Sequence, residues 1–61
     1  MKWSVEEKRK TWHKIASFDA LDYARWFAVH APLSEIQIVE NWPRRRIIVI
    51  YRHGEPDREI K

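Results

Sequence analysis

The segment RRRIIVIYR, residues 44–52, restricts the fold more than any other stretch of the chain. Its β-branched and aromatic residues favour a strand, in which Ile47, Val49 and Tyr51 point one way while Ile48 and Ile50 point the other. Both faces are then apolar, and a strand of this kind expects cover on both sides. The chain has only 61 residues to provide it. A domain of that size buries about 60% of the surface its unfolded chain exposes, so residues 1–61 form a single small domain. Without cysteine, neither a disulfide nor a thiolate zinc site can supplement the core.

The strand has a partner directly upstream. EIQIVE is equally rich in β-branched residues, and the intervening NWPR carries Asn41 and Pro43, both suited to a turn, so a β-hairpin is predicted. Before it, SFDALDYARWFAVHAP reads as a helix, with Ser17 as the cap, Asp19 and Asp22 near the positive end of the dipole, and Pro32 as the stop. At 100° per residue Ala20, Leu21, Tyr23, Ala24, Phe27, Ala28 and Ala31 make the core stripe, leaving Phe18, Trp26 and Val29 outside it. Residues 2–16 admit two readings. As a helix, Ser4 and Glu7 form a capping box and Glu6 pairs with Lys10; as a hairpin, Trp3 and Val5 alternate, TWHKIA returns, and EKRK turns without Gly, Asn or Pro. Local propensity prefers the helix.

The layout of Trp3 and Val5, then Ala20, Leu21, Ala24, Trp26, Val29 and Ala31, then Ile36 and Ile38 resembles that of small bacteriophage host-takeover proteins, short inhibitors of bacterial RNA polymerase among them. In those a strand hairpin feeds a helix and then a strand. The resemblance covers residues 3 to 40; the second strand of the C-terminal hairpin and its arginines have no counterpart there, so no contact residue is transferred. It implies an α+β fold, a small antiparallel sheet with one packed helix in the order β-β-α-β-β. The alternative is α-α-β-β with a C-terminal hairpin.

Arg52-His53-Gly54-Glu55 resembles the strand end at which histidine phosphatases present a phosphate-accepting histidine, which would make His53 the nucleophile and Arg52 its phosphate ligand. Seven residues follow Gly54, and the second histidine, the further arginine and an enclosing cleft have no source upstream. The tetrapeptide is therefore read as a strand end and turn, with Gly54 supplying positive φ and Pro56 closing the ladder. His13, His30 and His53 lack the spacing of a metal site, no phosphate loop or nucleophile elbow is present, and Glu6 with Glu7 or Asp19 with Asp22 read as solvated or capping groups. The expectation is a chain that is not an enzyme and takes no cofactor or metal.

Twelve Lys and Arg oppose nine Asp and Glu, with positive charge concentrated at residues 8–10 and 44–46. No run of 18 apolar residues is present and the first ten residues are too charged for a leader, so the expectation is a cytoplasmic protein with no membrane partner. One helix covers one face of a small sheet, leaving either the Ile48 and Ile50 side, taken as the candidate open face, or the Ile47, Val49 and Tyr51 side open unless Lys, Arg and Trp side chains fold over it. The expected role is a non-enzymatic binding protein, a phage or mobile-element accessory factor that docks on and inhibits a larger host protein or nucleic-acid-handling complex. Trp26, Trp42, Arg44, Arg45, Arg46 and Arg52 are the candidate contacts, since Trp and Arg dominate interface energetics. The alternative is a nucleic-acid-binding module using the basic hairpin, and self-association into a homodimer is a further use of the open face.

Overall fold

A computed structural model describes residues 1–31 and 35–59, with side chains through residue 56. The fold is α+β: an antiparallel sheet with one helix packed on it, opening β-β-α-β-β and ending in a further strand. The elements are β1 (Trp3–Lys8), β2 (Trp12–Phe18), α1 (Leu21–His30), β3 (Glu35–Glu40), β4 (Arg46–Arg52) and β5 (Glu55–Glu59), with sheet order β2-β1-β3-β4-β5.

Residues 2–16 are the hairpin. Trp3 pairs with Phe18 and Lys8 with Trp12, and the connection at Arg9–Thr11 is closed by the Arg9 amide donating to the Thr11 carbonyl. The helical reading fails because β1 is a central strand. On its other edge Trp3 to Glu7 pair in unbroken register with Glu40 to Ile36, a long-range ladder that outweighs the local helix preference of this charged segment.

The helix starts later than the sequence predicts. Ser17 lies in β2 opposite Ser4, and the N-cap is Ala20, which makes no side-chain cap hydrogen bond. Asp22 sits in the first turn as expected, Ala31 forms the C-cap, and Pro32 lies outside the described residues. Two small residues, Ala24 and Ala28, are fully buried and let the helix backbone approach β1, β2 and β3 closely. Leu21, Phe27 and Ala31 pack beside them, and Phe18 at the end of β2 stacks at a tilt on Phe27, 5.7 Å between centroids. Tyr23, assigned above to the core stripe, is instead 68% exposed. Contact through two alanines narrows the buried strip, and Tyr23 falls at its margin.

Two bulges decide which strand residues reach that core. Where Val5 and Glu6 oppose Ala16 and Lys14, Ile15 is the extra residue; where Ile38 and Val39 oppose Val49 and Ile47, Ile48 is the extra one. Both isoleucines pack against the helix-side cluster of Val5, Ala24, Ala28, Ile36, Ile38, Val49 and Tyr51. Strict alternation is thereby broken in β4. Ile47 moves opposite Val39 on the far face, Ile48 joins the core side, and only Ile50, opposite Gln37, stays where the sequence reading places it. Ile48 and Ile50 therefore do not form one open face.

The far face is also closed at its centre. Ser4, Glu6, Gln37 and Val39, which lie side by side in β1 and β3, are each 9% exposed or less. Among the described residues no second layer of secondary structure lies there. Long side chains and polar pairs from neighbouring segments cover it, so the expected shortage of covering material is met without a partner at this position.

The β4–β5 connection is a two-residue turn. His53 (φ 53°) and Gly54 (φ 80°) both adopt the left-handed region, the pattern of a type I′ hairpin. Pro56 does not end the ladder: it sits within the edge strand β5, opposite Tyr51, where a missing amide donor is tolerated. Gly54 also lies against the helix, and a Cβ there would stand 2.8 Å from the Val29 carbonyl oxygen.

Candidate binding surface

The loop Asn41–Arg45 between β3 and β4 is fastened to β1 by polar groups that sequence patterning does not reveal. The Asn41 amide donates to the Lys2 carbonyl (2.8 Å), and its side-chain amide donates to the Met1 carbonyl (3.0 Å) and the Ser4 hydroxyl (2.8 Å). Arg45 reaches across the sheet so that Nη2 donates to both oxygens of Glu6 (2.8 and 2.9 Å). Gln37 Nε2 also donates to Glu6 Oε1 (2.6 Å), while Gln37 Oε1 is buried with no donor. Hydrogen bonds of this kind to a buried carboxylate are stronger than neutral ones and hold the far face closed.

A second carboxylate serves the base of the loop. Glu40, 7% exposed, accepts from Arg46 Nε (2.8 Å) and pairs with Lys2 Nζ (3.4 Å). Burial by itself would raise its carboxyl; the hydrogen bonds and charges of Arg46 and Lys2 outweigh that and hold it below the ordinary value.

The three arginines expected to act together are thus divided. Arg45 and Arg46 are bound to buried carboxylates of their own chain, whereas Arg44 has no carboxylate partner among the described residues. Trp42, 50% exposed and joined to Pro43 by a cis bond, stands beside it on the loop. Arg52 is exposed at the far end of β4. The other basic cluster, residues 8–10, caps the opposite end of β1 from Lys2 and the loop, about 20 Å away for a six-residue strand. The two clusters do not form a continuous basic stripe.

Trp26 lies on a different surface. Tyr23, Trp26 and Val29 are 68%, 62% and 45% exposed on the outer face of α1, and the His30 ring stacks on Trp26 at 4.4 Å with Nδ1 against the Trp26 carbonyl. At helical spacing Tyr23, Trp26, Val29 and His30 fall in a strip about 120° wide. Trp26 and Val29 are visible in the sequence as apolar residues left out of the core stripe; Tyr23 is not, because its spacing also fits the stripe.

No group of three or more metal-ligating side chains is assembled among the described residues, and no helix there is long and apolar enough to cross a membrane. His53 is exposed on the β4–β5 turn, His13 lies in β2 and His30 at the end of α1. No family model, curated protein or solved structure matches this chain.

Proposed function

We propose that the chain is a non-enzymatic binding protein that docks on a larger host protein and inhibits it, in the manner of the phage or mobile-element accessory factors whose layout it resembles. The observation that carries this reading is the outer face of α1, where Tyr23, Trp26 and Val29 present large apolar groups to solvent on an element whose opposite side is anchored by Ala24 and Ala28. A helix presenting anchors at such spacing is a common way for one protein to enter a groove on another. Burying each of these side chains contributes on the order of 1.5 to 3 kcal/mol before association costs. Internal pairing of Arg45 and Arg46 favours this reading over a polyanion-binding one.

The test is capture from bacterial lysate at low salt by the tagged wild-type chain and by Trp26→Ala. A discrete protein retained by the wild type and lost with the variant is the expected result. Recovery of no protein, with retention on DNA instead, defeats the reading. The second reading, a nucleic-acid-binding module, rests on Trp42 and Arg44 exposed together at the loop. It requires a gel shift that weakens with salt and disappears in Arg44→Ala.

A further inference from the structure

The loop that carries Trp42 and Arg44 encloses a surface cleft of about 310 Å³ lined by Glu40, Pro43, Arg44 and Arg46. Two cations of the lining, Arg44 and Arg46, share the cleft with one carboxylate, and Lys2 pairs with that carboxylate from outside the lining. Both Glu40 oxygens are already engaged, Oε1 by Arg46 and Oε2 by Lys2, so the carboxylate positions its neighbours and leaves the cleft with an excess of positive charge. Arg46 binds Glu40 through Nε, which leaves its outer guanidinium nitrogens uncommitted to that pair. The walls are fixed, because Asn41, Arg45 and Arg46 tie the loop to β1 and β3 on both sides of Pro43. Arg46, its guanidinium held in advance by Glu40, loses less freedom when it binds, and Arg44 is carried on the backbone of the fastened loop.

We infer that this cleft receives a carboxylate side chain from the docked protein, with Arg44 as its principal ligand and Arg46 behind it. The inference rests on the protein-docking reading and names the partner chemistry at a second point of contact. A nucleic-acid backbone fits less well. A phosphate chain is gripped by several cations along a track, whereas of the loop arginines Arg45 and Arg46 are paired internally, Arg44 alone has no carboxylate partner among the described residues, and the other basic cluster lies at the opposite end of β1.

The experiment is a titration of the ¹⁵N-labelled full chain, following arginine Nε–Hε signals, with a blocked triglutamate peptide and separately with a thymidine oligonucleotide. The expected result is saturable movement of the Arg44 and Arg46 signals with the peptide by about 10 mM, absent in Arg44→Ala and weakened in Arg44→Lys. Both variants are exposed-site changes whose amide spectra report that the fold is intact. Three results overturn the inference: no saturation, equal peptide binding by Arg44→Ala, or an oligonucleotide that saturates the same signals at lower concentration than the peptide. Host-protein capture that needs Trp26 but not Arg44 overturns the cleft alone. A cleft that saturates while no host protein is captured overturns the docking reading alone.

Discussion

Gly54 and Glu6 show how much individual residues decide here. Gly54 combines a left-handed backbone with a close approach to the helix, so Gly54→Ala introduces both strain and a contact of 2.8 Å with the Val29 carbonyl. A loss of about 1 to 3 kcal/mol is expected, read as a lower urea midpoint with an unchanged slope. Arg45→Ala leaves the Glu6 carboxylate, 9% exposed, with Gln37 as its remaining donor. The expected cost is about 1 kcal/mol or more, and Glu6→Gln in the same background should recover part of it by removing the uncompensated charge. Trp26→Ala, by contrast, should change stability by less than about 0.5 kcal/mol, since its side chain is mostly in solvent. A stability loss well beyond that in urea titration means that Trp26 packs rather than docks.

Among elements, the β3–β4 hairpin was the most readable in the sequence. EIQIVE is β3 to the residue, and β4 differs only by surrendering Arg44 and Arg45 to the loop. The base of its loop also carries an acid-sensitive contribution. Glu40 is held below the ordinary carboxyl value of 4.5, so the stability it provides is fully present above that value and is lost as pH falls through its lower folded-state value. The urea midpoint of the wild type should therefore decline as pH is lowered from about 4.5, and Glu40→Gln should flatten that decline. A variant that keeps the wild-type acid sensitivity assigns the effect to another carboxylate. The N-terminal hairpin was less readable for a physical reason: SVEEKRK carries helix-favouring charges and a capping pattern, and only its pairing with β3, more than thirty residues away, selects the strand.

For the whole molecule, placement of charge matters more than its sum. A formal +3 is compatible with a polyanion partner, but the two basic clusters lie at opposite ends of β1 and two loop arginines are neutralised internally. Any retention on single-stranded DNA should therefore depend shallowly on salt, with a logarithmic slope no steeper than about −2. A steep slope requires several phosphates to be bound at once and returns the nucleic-acid reading to first place. With the centre of the sheet's far face buried, the large exposed apolar residues lie on α1, as Tyr23, Trp26 and Val29, and at Met1 and Trp42.

The sequence alone determined that a β-rich hairpin follows an amphipathic helix, and that His53-Gly54 makes a turn, because these depend on residue preferences and local periodicity. Tertiary structure decided the rest. Which face of α1 is buried, where Ile15 and Ile48 bulge inward, and that Glu6 and Glu40 pair with two of three neighbouring arginines, which stay exposed, were decided by the assembled sheet. A side chain's freedom to meet another molecule depends on what its own fold has already placed against it, and spacing along a sequence does not carry that information.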